Sequence, residues 1–452
     1  MKRLTVVLSS LILMIASFGG VKVQGGESWT IPLNPPSWSR DQEGFNVSVE
    51  TFAATGKDSI HVVNHNEHDW AIRLPERIAV VPGEIFELTF TGQNLENACQ
   101  PSVVLYNQDN EAVSWVYGQI DVRQTSEMQT FRSKFVVPKQ VAHIEPRIVG
   151  SGESNLYVDT FKIERAGKLE LSNLTGTLPA ENEFLHVKFY MDSASFDVYD
   201  VRSQRSWKQI VSPNAPFVLN AEQIERGFLF TLFDPQNFLE YTAQIQLAPD
   251  APEIVVALSA PKDAELTSKI SYPYPTATRK TDRVVLPVNE GISFPTTEDA
   301  PGLGEIHTFG GHGLCMAFWG VMDDELDPAN SEGMMTIVET PDDSAVFVTK
   351  RAAAPNADGT PETESKTLSF APVWHASKKK FGYDRVLRFV YFDQGGYVAQ
   401  CKRYQEYAKE IGLHVTFDEK IKKNPALADG LDRLIGAANI WCWDWNIDKL
   451  QM

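Results

Sequence analysis

The sequence predicts a mostly β chain: an N-terminal sandwich, a larger sandwich behind it, and a short α/β segment at the end. Three observations carry this. From Trp29 to Ala166, short alternating runs such as Glu87-Leu88-Thr89-Phe90 and Ser102-Val103-Val104-Leu105-Tyr106 are separated by Gly, Asn and Pro turns, the pattern of an antiparallel sandwich. Alternation then resumes near Lys168 and runs to Phe392. Helical spacing first becomes clear at Gly396 to Ile411.

Taken in order, residues 1–25 have the form of an export signal. Lys2 and Arg3 give a positive start, Leu4 to Phe18 are apolar, and Val23-Gln24-Gly25 offers small residues for cleavage. A membrane anchor is the less favoured alternative, because the apolar run is shorter than the roughly 20 residues a spanning helix needs. No later segment could span a bilayer. Residues 27–166 form the first sandwich.

The second sandwich is assigned to residues 168–395. Leu185, Val187, Phe189 and Met191 alternate with polar neighbours, and Phe196 to Val201 repeats the period. Further strands are expected at Glu253 to Leu258, Met335 to Val338, Ala345 to Val348 and Arg385 to Phe392, with an exposed loop at Ala352 to Ser365. So many strands call for a large two-sheet sandwich.

Residues 396–425 are expected to be a helical linker. Val398, Cys401, Tyr404, Ala408 and Ile411 share one stripe there, and Gly412 can terminate the helix. In 426–452, a helical stretch from Ala426 to Ala437 precedes the apolar run Asn439-Ile440-Trp441-Cys442-Trp443-Asp444, which is how an α/β unit begins. A lone parallel strand needs neighbours on both edges and faces, so the expectation is a chain cut off as this unit starts. A tail lying on the sandwich is the alternative.

At 452 residues the chain should hold two or three domains. Its 41 Lys and Arg against 59 Asp and Glu, a net charge of −18, leave no basic stripe for nucleic acid. Cys99, Cys315, Cys401 and Cys442 are far apart and without C-x-x-C spacing, so buried thiols or one incidental bridge are expected. Neither Gly-x-Ser-x-Gly nor a P-loop motif occurs, which removes serine-esterase and P-loop chemistry.

A flat apolar face with a few fixed polar groups suits a pyranose ring. Trp70, Tyr106, Trp115 and Tyr117 are the candidates in the first sandwich, and Trp115 and Tyr117, two apart on a strand, should share one face. Filling the core is their ordinary alternative. Asp444 ends a Trp-rich run, so Asp444 with Trp441 or Trp443 as stacking platform is a further candidate set. Adjacent carboxylates such as Asp323-Asp324 and Asp342-Asp343 read as solvated loop charges, and His65-Asn66-Glu67-His68 lacks a third ligand for a metal.

Two segments carry a family resemblance. Asp197 to Trp207, a strand, a polar turn and a Trp, resembles a hairpin of the β-sandwich that precedes the barrel in several glycoside hydrolases. Met316 to Val321, Val338 to Asp343, Phe392 to Tyr397 and the Arg403-Tyr404 helix, in that order, resemble the galactose-mutarotase-like super-sandwich and linker of the family related to endo-α-N-acetylgalactosaminidases, glycoside hydrolase family 101 and its relatives. That resemblance implies a following (β/α)8 barrel, which the step from Leu434 to Asp444 would open. The first sandwich resembles a jelly-roll carbohydrate-binding module of the family 4/9 kind, its last strand matching Leu156 to Ile163. This implies a structural calcium held through Asp159.

The expectation is a secreted or periplasmic carbohydrate-active protein, the front portion of a glycoside hydrolase acting on glycans with α-galactosyl or α-N-acetylgalactosaminyl bonds. No catalytic residue carries over, because the family's catalytic carboxylates lie on later barrel strands. The partner is a glycan or polysaccharide, no cofactor beyond the calcium is required, and a monomer is expected. The alternatives are a non-catalytic extracellular polysaccharide-binding protein and a surface adhesin for protein.

Overall fold

The computed structural model describes residues 21–22, 26–52, 56–212, 215–298, 304–308, 313–323, 329–355, 365–428 and 430. It is mostly β, with two helices, Gly396–Glu410 and Phe417–Lys423, among the described residues.

The first domain is two antiparallel sheets face to face. One runs Gln129–Val136, Glu84–Glu96, Ser154–Leu169, Lys57–Asn64, Phe45–Phe52, with Val21–Lys22 and Ser28–Thr30 also paired to the Ser154–Leu169 strand. The other runs Ala112–Tyr117, Cys99–Tyr106, His143–Ser151, Asp69–Arg73, Ser37–Ser39, with Ile78–Ala79 on the His143–Ser151 strand. Period-two alternation makes these sheets two-faced: Phe86, Leu88 and Phe90 are fully buried between them while Thr89 and Thr91 point outward. Each such large apolar side chain contributes about 1.5–3 kcal/mol by leaving water.

The strand expected to close this domain near Ala166 continues to Leu169, which packs with Ile85 and Val136 against Phe217 and Phe233 of the second domain. A small apolar core therefore joins the two domains.

The second domain's principal sheet has nine strands, in the order Phe217–Ile224, Gly227–Asp234, Leu239–Leu247, Glu253–Ser259, Arg385–Phe392, Gly333–Val338, Phe318–Asp323, Asp282–Leu286, Ile292–Pro295. Two smaller sheets share its core. One has four strands within Thr177–Lys208, and one has three, Glu305–His307, Ser344–Ala352 and Lys366–Trp374. The expected two-sheet sandwich thus has a divided second layer. Asp197 to Trp207 is the expected hairpin, with Val198 paired to Trp207.

The Gly396–Glu410 helix lies on the strands Phe318–Asp323 and Gly333–Val338. Its buried face differs from the expected stripe: Gln400, Tyr404, Tyr407 and Ala408 are buried, while Val398, Cys401 and Ile411 are exposed. Polar anchors set this rotation. The Gln400 amide donates to the Val321 carbonyl (3.2 Å), and Arg403 Nε meets Glu253 Oε1 at 2.6 Å. Gly412, at φ 75°, ends the helix as anticipated. The helix Phe417–Lys423 was not anticipated, although Thr416 and Glu419 form a complete capping box. Cys315 and Cys401 are exposed free thiols rather than buried ones; Cys99 is buried.

Candidate functional site

Directly paired residues in antiparallel strands lie on the same face, so register alone assembles the outer face of the six-stranded sheet. Trp38 lies opposite Ala71, Ala71 opposite Val149, and Val149 opposite Gln100. One row along, Arg73 lies opposite Arg147, and Arg147 opposite Ser102; beyond that, Glu145 lies opposite Val104 and His143 opposite Tyr106. The edge strand Ala112–Tyr117 adds Trp115, whose carbonyl accepts from Arg147 Nη2 (2.8 Å) and whose ring lies 5.8 Å from that guanidinium.

The result is a polar floor with a tryptophan at each edge. Trp38 is 48% exposed and Trp115 62%. Four strand spacings separate their strands, about 19 Å at roughly 4.8 Å each. Between them Glu145, nearly buried, is held by Arg73 Nη1 (3.2 Å) and Arg77 Nε (3.5 Å). Burial lowers the Arg147 pKa and the nearby Glu145 charge opposes that shift. Arg147 Nε has no hydrogen-bond partner. Exposed rings beside fixed, charged donors can stack on an apolar ring face and hydrogen-bond its polar rim.

The expected site residues fare unequally. Trp115 is on this face. Tyr106 is too, but it is buried, with Arg77 stacked 3.5 Å above its ring. It supports an arginine rather than offering an open platform. Trp70 is fully buried: its Nε1 donates to Ser154 Oγ (2.9 Å), and its ring lies so close to Gly150 that a Cβ there would come within 2.5 Å. It belongs to the core.

Tyr117 does not share a face with Trp115, contrary to the two-residue spacing. Ser114 pairs with Leu105 and Tyr117 with Val103, three steps against two. The extra residue is a bulge that reverses the alternation. Tyr117 turns inward, edge-on to Phe135, and its hydroxyl donates to the carbonyls of Val136 (3.1 Å) and Pro235 (3.2 Å). Burial, then the Asp234 charge, raises its pKa. It lines a cleft of about 620 Å³ between the domains, with Asp121, Lys134, Asn237 and Thr267.

Asp159 lies at a register shift between Val158 and Thr160 and accepts from the Thr160 hydroxyl (3.1 Å). Among the described residues it belongs to no group of three metal-ligating side chains. Trp441, Trp443 and Asp444, with the expected barrel opening, lie outside the described residues. Sequence reasoning missed Trp38, although Ser37-Trp38-Ser39 after Pro35-Pro36 is a one-aromatic alternation that a short outward-facing strand produces. It also missed the arginines, whose convergence depends on register.

No protein-family model matches the chain, and no curated protein matches it. Solved structures do. The α-N-acetylgalactosaminidase NagBb from Bifidobacterium bifidum, in its Gal-NHAc-DNJ complex, aligns at 15% identity with TM-score 0.44, over 56% of this chain and 42% of that one. The CBM22-1 xylan-binding domain of Paenibacillus barcinonensis Xyn10C aligns at 14% identity with TM-score 0.25, over 33% of this chain and 99% of that domain. A Family 16 Carbohydrate Binding Module-2 aligns at 16% identity with TM-score 0.21, over 27% of this chain and 88% of that module. The chain thus spans less than half of the first of these. Identities are low throughout.

Proposed function

We propose that the chain is an exported carbohydrate-active protein whose first domain holds a glycan across the outer face of its six-stranded sheet. One observation carries this: Trp38 and Trp115 stand exposed at opposite edges of one face, with Arg73, Arg77 and Arg147 between them. Each exposed indole offers a flat face on which a sugar ring can stack, and a span of about 19 Å suits several sugar rings in a row. Arginine forks provide fixed donors for hydroxyl and carboxyl oxygens.

Hydrolysis belongs to the proposal through the order of the sequence segments that resemble the endo-α-N-acetylgalactosaminidase family. On that reading the second domain is the support on which a catalytic unit rests, and α-galactosyl or α-N-acetylgalactosaminyl glycans are the substrates. A structural calcium at Asp159 is part of the same reading, and carbonyl oxygens would have to complete its shell.

The test is affinity electrophoresis and calorimetry of the purified chain against mucin-type, α-galactosyl and plant polysaccharides. Retention by at least one polysaccharide is expected, with Trp38→Ala and Trp115→Ala each weakening it about tenfold. Unchanged retention in both variants, or no retention by any polysaccharide, refutes the binding face.

A further inference from the structure

The outer side of the three-stranded sheet in the second domain carries a cluster unrelated to the tryptophan face. On the strand Glu305–His307, Ile306 is buried in the core, so Glu305 and His307 both project outward. His307 lies opposite Ala345, and Ala345 lies opposite Val373; both of these small or branched side chains are buried. His375 follows two residues later and is fixed by its main chain: its N–H donates to the Asp343 carbonyl (2.7 Å), and its carbonyl accepts from Arg385 Nη2 (3.0 Å).

The three side chains converge. His375 Nε2 is hydrogen-bonded to Glu305 Oε1, the rings of His307 and His375 lie 5.5 Å apart, and one ligand atom from each residue lies within 4.8 Å of the other two. Lys269 Nζ holds the other Glu305 oxygen at 2.6 Å while lying 4.8 Å from the Phe347 ring centroid.

We infer that Glu305, His307 and His375 form a binding site for a divalent transition-metal ion, with zinc the best match. Two imidazoles and one carboxylate oxygen are a borderline-soft N/O set that suits zinc and disfavours calcium or magnesium. Zinc bonds of about 2.0–2.2 Å place tetrahedral ligands roughly 3.3 Å apart, so separations of up to 4.8 Å close by at most about 1.5 Å, while His375 Nε2 and Glu305 Oε1 give up their hydrogen bond and move apart. Lys269 does what an outer-shell partner does, fixing the carboxylate so that it offers a single oxygen. Three protein ligands leave the fourth position to water or to a ligand from solution. An ordinary ion pair accounts for Glu305, Lys269 and His375, but gives His307 no part.

That difference defines the test. The chain is stripped with EDTA, dialysed, and titrated with Zn²⁺ by calorimetry at neutral pH; a separate metal-free sample receives Co²⁺ as a spectroscopic probe. One ion per chain is expected, with a rise in Tm and a tetrahedral Co²⁺ absorption. His307 is exposed and outside the ion pair, so His307→Ala should fold with unchanged metal-free Tm yet bind Zn²⁺ at least tenfold more weakly and lose the Co²⁺ band. Glu305→Gln should also weaken binding. No saturable binding, or equal affinity in His307→Ala and the parent, overturns the inference. The seven histidines elsewhere in the chain are controlled by the same comparison.

Discussion

Trp115 and Tyr117 stand on one strand, two residues apart, and face opposite sides of their sheet. The bulge between them hands one ring to solvent and the other to the junction with the second domain. Tyr117→Phe should therefore leave glycan retention intact. Both of its hydroxyl hydrogen bonds would be lost, at a cost of about 1–3 kcal/mol in stability, read as a shift in the urea midpoint and as faster proteolysis between the domains.

Trp70 and Trp38 should separate in the converse way. Trp70→Ala removes a fully buried indole bonded to Ser154 and should cost about 3–5 kcal/mol. Trp38→Ala, at a solvent-exposed position, should change stability by no more than about 0.5 kcal/mol. Thermal melts of the two variants side by side decide this.

Gly320 is required by the helix above it. A Cβ at Gly320 would meet Gln400 Oε1 at 2.0 Å, and Gln400 is fully buried. Gly320→Ala should lose about 1–3 kcal/mol by overpacking and should raise hydrogen exchange along Gly396–Glu410 before it affects the first domain.

The Arg205 guanidinium meets Asp282 Oδ2 at 2.6 Å with both side chains essentially out of water, and lies 3.6 Å over the Trp207 ring. Asp282→Asn removes the buried partner of that cation, leaving it only the Glu332 carboxylate, 3.3 Å from Nη1, and should cost about 3–5 kcal/mol in denaturant melts. A double replacement of Arg205 and Asp282 by apolar residues should recover part of the loss.

Acid should release the helix through Glu253. Burial raises its pKa, but the hydrogen bonds and charges of Arg403 and Arg388 outweigh burial and hold it below the ordinary 4.5. A depressed folded pKa means that the stabilisation is fully present above the unfolded value and is lost as pH falls through the folded one. The gap in stability between the parent and Glu253→Gln should therefore narrow as pH drops below 4.5. A constant gap from neutrality to acid would contradict the assignment.

Much of the architecture was legible because strand alternation is local. Leu185 to Tyr190, Arg385 to Phe392 and the hairpin ending at Trp207 lie where the period places them. The binding face was half legible. Trp115 was found as an aromatic among strand residues, but Trp70 has the same local signal and is core, and Trp38 sits on a strand of three residues that shows hardly one period. The helix stripe was misjudged because Gln400 and Arg403 are polar by composition and are buried or paired only where Gly320 and Glu253 meet them.

The sequence by itself determined the β class, the order of the two sandwiches and the helix that ends at Gly412, since each depends on the periodicity of neighbouring residues. Only the tertiary structure decided which aromatic faces water, which arginines gather around Glu145, and that His375 reaches Glu305 from 70 residues away. Those outcomes depend on strand register, and register is fixed by burial of whole faces rather than by any short stretch of chain.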